Sequence, residues 1–322
     1  MKKIVKSPIT TFVLLGIGVV LICFFYLTYK TYGNWSFALA LRGKKLAAFA
    51  LVGIGSAFGT ISFQTMTQNH FLTPNILGLD SLYVFIQTTL FFFLGGQAIL
   101  GKESLPQFLG NILLMMSISV LLSKFLLGRG KNDLFLLLMI GMIAGTFFSS
   151  ISTFLQVVMD PNEYDLLQGK LFASFGNVNS HYLLIAAGLM VIFAGFLWSQ
   201  SHSLDVLHLG NDQATNLGID ISRFQLLILI AVSGIVGLST ALVGPVTFLG
   251  FIVANMSYQL MGTYRHRELF ICGSLLSIFL LVSGQFLVEQ VFALNTTLSI
   301  VIEFGGGVYF IGKIIHERKQ QK

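Results

Sequence analysis

The sequence predicts an all-α bundle of membrane-spanning helices, and three observations carry that prediction. Hydrophobic residues fill 55% of the 322 positions, while Asp, Glu, Lys and Arg together supply only 10%; a soluble domain carries about 25%. Mean hydropathy is +0.82, and the uncharged runs behind it recur along the whole chain instead of forming one anchor. Finally, 31 Phe and 33 Gly stand beside only 5 Pro, a mixture that suits lipid-facing helices packed closely on one another. We therefore expect one membrane domain over residues 1–322, although the length alone would permit two soluble ones.

Composition also excludes other classes. Cys23 and Cys272 both lie in apolar runs, which argues against a disulfide framework and a Cys-rich metal site. The net charge of +6 comes from cations dispersed between apolar runs. That pattern orients a chain in a membrane and does not build a nucleic-acid surface.

A membrane-spanning helix needs about 20 mostly apolar residues. The first such run is Ser7 to Tyr29, preceded by Lys2, Lys3 and Lys6; Cys23-Phe24-Phe25-Tyr26 offers no small-residue cleavage site, so a retained span is expected. Further spans fit at 45–65, 81–100, 107–126, 134–158 and 181–200. The uncharged stretch from Phe224 to Tyr264 is too long for one helix, and Gly244-Pro245 divides it into 223–243 and 247–262. Spans at 269–288 and 297–315 bring the expected total to about ten.

Orientation follows from the basic residues in short loops. With both termini cytoplasmic, Lys2, Lys3, Lys6, Lys124, Arg129, Lys131, Arg223, Arg265, Arg267, Lys313, Arg318, Lys319 and Lys322 fall inside. Only Lys30, Arg42, Lys44, Lys45, Lys102 and Lys170 fall outside. The cluster at Arg42, Lys44 and Lys45 breaks the rule and calls for a role.

Two loops are expected to hold helices of their own. Outside, Asp160-Pro161-Asn162-Glu163 reads as an N-cap, a first-position proline and an acid in the first turn, with a surface helix running to Leu171. Inside, Asn211-Asp212 can cap a short helix over 211–217, ended by Gly218 in a left-handed conformation.

Few motifs suggest chemistry. Gly96 to Glu103 resembles a phosphate loop but places Glu103 where Mg²⁺ needs a hydroxyl, and it follows an apolar span, not a strand. No His, Cys, Asp or Glu cluster has metal-ligand spacing, and the 6 histidines are scattered. Neither an enzyme nor a resident cofactor is expected. Gly55 to Gly59 and Gly141 to Gly145 are small-xxx-small faces for close helix packing. Glu303 is the one acid placed well inside an expected span. A charge there costs roughly 2.5–3.5 kcal/mol on insertion scales, so it lines a pathway, couples a proton, or is held neutral by a neighbouring helix.

Several segments together resemble the FecCD type of permease, the iron-siderophore and vitamin B12 family of ABC importer subunits. Arg42-Gly-Lys-Lys45 stands where that family has R-L-P-R. Gly59 to Gln64 and Asn69 through Pro74 to Gly78 are similar to its S-G-x-x-x-Q and N-P-L-A-x-P-x-x-L-G. Leu209 to Gly218 resembles L-G-x-x-x-A-x-x-L-G, and Gly244-Pro245 through Gly250 to Val253 resembles A-G-P-I-x-F-V-G-L-x-V. Departures include Ala254-Asn255 in place of P-[HN], one residue inserted before His266-Arg267, and Gly284 and Val288 at an acidic and a basic position of the family.

The resemblance implies a bacterial inner-membrane permease subunit that translocates an iron-siderophore chelate, with haem or a corrinoid as alternative cargo. It implies a second permease subunit, two ATPase subunits that bind ATP and Mg²⁺, and an extracytoplasmic binding protein that delivers the cargo. The departures point to a homologue, not an identical copy, as the second permease. On this reading Arg42 and Lys45 meet carboxylates of the binding protein, and Asn211, Asp212, Ala214, Leu217 and Gly218 form the coupling helix on the ATPase. Gln64, Asn69, Pro74, Gly244, Pro245, Gly250, Asn255 and Glu303 line or pack the pathway. Two rivals stand beside it: a proton-coupled secondary transporter using Glu303, and a membrane scaffold.

Overall fold

A chain whose uncharged runs must satisfy every backbone polar group without water forms helices, and in the computed structural model every regular element among the described residues is helical. Those residues are 8–31, 35–96, 99, 105–127, 134–172, 174–176, 178, 180–292, 294 and 296–320. In chain order come α1 (Pro8–Thr28), α2 (Trp35–Thr67), a 3₁₀ turn (Pro74–Leu77), α3 (Leu79–Leu94), α4 (Leu105–Leu127), α5 (Leu134–Val158) and α6 (Pro161–Leu171). They are followed by α7 (Ser180–Ser199), α8 (Ser201–Leu207), α9 (Asn211–Asn216), α10 (Ile221–Val243), α11 (Leu249–Met261), α12 (His266–Gln290) and α13 (Leu298–Gln320).

α1, α2, α5, α7, α10 and α12 contain segments long and apolar enough to cross a membrane, and α3, α4 and α13 contribute shorter apolar helices. Together with α11 they fall on the expected segments. The centre of the bundle is α2, held between α10 on one side and α12 on the other. α1 and α11 pack on α12, α4 and α7 pack on α10, and α3 with α5 forms a second pair.

Small residues set the closest approaches. Gly78, at φ 77°, lies against Gly145, and a Cβ on Gly78 would come within 2.8 Å of the Gly145 Cα. Gly141 meets Leu77 in the same way, at 2.9 Å. The stripe Gly141 to Gly145 thus seats the 3₁₀ turn onto α5. Gly250 brings α11 onto α2, with Thr60 Oγ1 only 2.0 Å from where a Cβ would stand.

Some boundaries differ from expectation. α2 begins at Trp35 and not at 45, so Arg42, Lys44 and Lys45 ride on the helix instead of preceding it. α3 stops at Leu94, short of 100, because Gly95 turns the chain at φ 81°. Around α9 the cap is Gly210, at φ 114° and with no side-chain hydrogen bond, so Asn211 and Asp212 are the first helical residues and do not cap the helix. Gly218 is left-handed at φ 88°, as expected. α6 also forms as read, with Asp160 Oδ1 accepting from the Asn162 N–H at 2.9 Å. The division at Gly244-Pro245 holds, with Gly244 at φ 97° closing α10.

Candidate functional site

Among the described residues, polar assemblies interrupt the apolar bundle. The first is a groove of about 370 Å³ walled by α3, α5, the link between α10 and α11, and the start of α13. Pro245, Thr247 and Glu303 line it, so the helix break at Gly244 opens directly onto it. Glu303 is exposed and its Oε1 accepts from Thr247 Oγ1 at 2.7 Å. Across the groove stands Asp80, in the first turn of α3, with its Oδ2 closed to solvent and without a hydrogen-bond partner.

The second assembly ties α2 to α11. Gln64 is 1% exposed, and its Nε2 donates to the His70 carbonyl at 2.7 Å. Asn255, also 1% exposed, donates from Nδ2 to the same carbonyl at 3.2 Å and to Phe251 O at 2.9 Å. Asn69 turns the chain between them, its Oδ1 accepting from the Phe71 N–H at 2.9 Å. Pro74, buried, opens the 3₁₀ turn that follows. Gln64, Asn69, Pro74 and Asn255 therefore act together, as a brace for the loop between α2 and α3.

The third assembly lies where α8 meets α12. Asp205 Oδ1 accepts from the His266 backbone N–H at 2.7 Å and from ring Nδ1 at 2.6 Å. The ring's other nitrogen, Nε2, is 2.7 Å from Thr65 Oγ1. Gln68 donates to Leu207 O at 2.7 Å, and Arg267 Nε to Ser201 Oγ at 3.1 Å. Burial opposes the charge on Asp205, but its hydrogen bonds to His266 override it and hold the carboxyl below its ordinary range. α8 is pinned at both ends, and α9 follows directly from it. Within α9, Ala214 is fully buried, while Leu217, which caps its C-terminal end, is 65% exposed. Ala214 is the anchor of this helix and Leu217 its outward-facing cap, with Asp212 exposed and the Asn211 backbone carbonyl accepting from Thr215 Oγ1 at 2.9 Å.

The basic cluster on α2 has partners inside the chain. Arg42 Nη1 donates to the carbonyls of Tyr26, Leu27 and Tyr29, at 2.9, 3.2 and 2.7 Å, and so closes the C-terminal end of α1. Lys45 Nζ is 2.7 Å from Glu289 Oε1, which also accepts from Tyr26 and Gln285. Lys44, on the same turn, is exposed.

Sequence reasoning missed Asp80, Asp205, His266 and Glu289. Asp80 falls one residue before the expected start of its span and reads as a loop acid. The histidines are not all scattered: the His208 ring lies 6.1 Å from His70 and 6.4 Å from His266. The phosphate-loop resemblance falls on Gly96 to Glu103, of which 97, 98 and 100–103 lie outside the described residues, as do Lys2, Lys3, Lys6, Arg129, Lys131 and Lys322.

A helical bundle with apolar spans, a polar groove at a broken helix and a short braced helix between spans defines an integral membrane protein of the permease class. The chain belongs to the FecCD transport family, which it matches over residues 8–316. It is 42% identical over 304 residues to the petrobactin import system permease protein YclO of Bacillus subtilis (strain 168), covering 94% of this chain and 96% of that one. Against the petrobactin import system permease protein FatC of Bacillus anthracis the identity is 34%, over 85% of this chain and 77% of the relative. A solved structure described as an inward-facing metal-chelate type ABC transporter superposes with a TM-score of 0.84 at 23% identity, covering 96% of this chain and 99% of that one. At that identity it supports the fold alone.

Proposed function

We propose that this chain is the permease subunit of an ABC importer that carries the iron-loaded siderophore petrobactin across the bacterial inner membrane. The observation that carries the cargo is the 42% identity, spread over 94% of the chain, to a permease of a petrobactin import system. The chain itself performs no chemistry. It offers a pathway whose two access states are selected by ATP-driven closure of separate ATPase subunits, with a binding protein delivering cargo from outside.

The geometry supports this division of labour. α9 presents Leu217 outward and is anchored by Ala214, while Asp205 and His266 couple the preceding helix to α12. A push on α9 is thereby passed to α12 and, through Thr65, to α2. The groove at Glu303 lies where α10 is interrupted, so a tilt of the helices would reshape it. On the outer face, Arg42, Lys44 and Lys45 supply the positive surface for the binding protein. Because Arg42 and Lys45 already serve α1 and Glu289, exposed Lys44 carries the free charge and the other two exchange partners on docking.

The test is genetic and direct. Deleting the gene should abolish growth on petrobactin as the sole iron source and leave growth on ferric citrate intact. Complementation should restore it only with an intact ATPase partner. Normal petrobactin-dependent growth in the deletion strain, with related permeases also removed, would refute the cargo.

A further inference from the structure

The groove between α3, α5 and α13 is lined by two carboxyls and a row of hydroxyls. Several of its own protons are already engaged. Ser149 Oγ donates to Ser81 at 3.0 Å, Thr153 Oγ1 to the Ser149 carbonyl at 2.9 Å, and Gln156 Nε2 to Thr88 at 3.1 Å. Thr247 spends its proton on Glu303. Two carboxyls and several hydroxyl lone pairs remain for a ligand beside the unpartnered Ser299 hydroxyl, and among the described residues no Lys, Arg or His lines the groove.

Asp80 provides a second, separate indication. Its Oδ2 is shut off from solvent and accepts no hydrogen bond. A buried acceptor without a donor costs free energy that a ligand's N–H group would recover. Glu303, on the facing helix, adds a second negative or proton-accepting group at the same groove. A ligand carboxylate or phosphate would face two carboxyls with no cationic side chain to offset them among the described residues.

We infer that this groove binds the cationic or N–H-rich part of the transported molecule, with Asp80 and Glu303 as its principal contacts. The identity of that molecule as cargo rests on the importer reading; the selectivity of the groove for donors over anions does not. Two carboxylates in a partly desolvated cleft concentrate cations and exclude anions, and roughly tenfold discrimination is a modest expectation for such a site.

The test replaces Ser149, which is exposed in the groove, by cysteine in a chain carrying Cys23→Ser and Cys272→Ser, assembled with its ATPase in proteoliposomes. Reaction rates are measured with a trimethylammonium and a sulfonate methanethiosulfonate of similar size, and their ratio is divided by the ratio for mercaptoethanol. The expected quotient favours the cation by roughly tenfold. It should fall toward one in Asp80→Asn combined with Glu303→Gln, and stay high in Asp80→Glu, which keeps the charge. A quotient near one in the parent, or a thiol that reacts with neither reagent, overturns the inference. Uptake of petrobactin-bound iron by the same vesicles is scored separately. Vesicles that keep the cation preference but import no petrobactin iron would sink the cargo assignment and leave the groove standing.

Discussion

Asp205 holds the first residue of α12 twice, through the backbone N–H and the ring Nδ1 of His266. His266 is fully buried, so removal of the carboxylate leaves its ring N–H without a partner. Leaving such a group unsatisfied costs about 1–3 kcal/mol. Asp205→Ala should therefore lower the melting temperature of the purified complex and weaken nucleotide-driven transport, while Asp205→Asn, which can still accept one bond, should fall between. Equal melting of all three proteins would show that this contact is dispensable.

The same carboxyl gives a pH signature. Its folded pKa lies below the ordinary carboxylate value because His266 stabilises the charged form. Stability from a depressed pKa is present above the unfolded value, about 3.9, and is lost as pH falls through the folded one. The stability advantage of wild type over Asp205→Asn should thus be present near neutrality and be lost in acid below about pH 4, once the carboxyl protonates. Denaturation followed across pH checks this; a difference that vanishes near pH 7 would contradict the assignment.

Much of the fold was legible before the structure. α5 spans the expected 134–158 because hydropathy alone delimits it. Hydropathy predicts α2 ten residues short, since Arg42 and Lys45 lower it locally, yet the helix tolerates them because α1 carbonyls and Glu289 receive their protons. The brace and the relay were illegible for another reason. Thr65 and His266 lie 201 positions apart, and Asp205 and His266 lie 61 apart, so no local spacing announces them. Of the candidate residues, Gln64 and Asn255 were named singly; that both donate to one carbonyl is a tertiary fact.

Gly250 tests the packing of α11 on α2. A methyl there collides with Thr60 Oγ1, and overpacking of this kind costs typically about 1–3 kcal/mol. Gly250→Ala should reduce the folded fraction in detergent, and adding Thr60→Ala should restore part of it by removing the colliding oxygen. Independent, additive effects of the two changes would argue against the contact.

The proposed coupling role of α9 can be tested apart from its anchoring. Leu217→Arg changes an exposed face and should leave the protein in the membrane while uncoupling ATP hydrolysis from uptake. Ala214→Arg forces a charge into a fully buried site and should reduce the amount of folded protein itself. Identical phenotypes for the pair would erase the distinction drawn between the two faces.

The proposed docking of a binding protein on the basic cluster has an electrostatic signature. Lys44→Glu alters exposed charge alone, whereas Arg42→Glu and Lys45→Glu also remove the cap on α1 and the Glu289 ion pair. Exposed ion pairs contribute only about 0.2–1 kcal/mol and weaken with salt. All three reversals should slow association of the binding protein at low salt, and the deficit of Lys44→Glu should disappear at high salt. Rates that ignore both substitution and salt would remove the docking role from this cluster.

The account stands or falls on what energises transport. Proteoliposomes containing this chain, its second permease and the ATPase would be supplied with the binding protein and iron-loaded petrobactin outside and ATP with Mg²⁺ within. Iron should accumulate with nucleotide and without any pH gradient, and the non-titrating Glu303→Gln should retain its dependence on ATP even where its affinity changes. Uptake that needs a pH gradient, ignores nucleotide and is abolished by Glu303→Gln would contradict the importer account and establish proton coupling in its place.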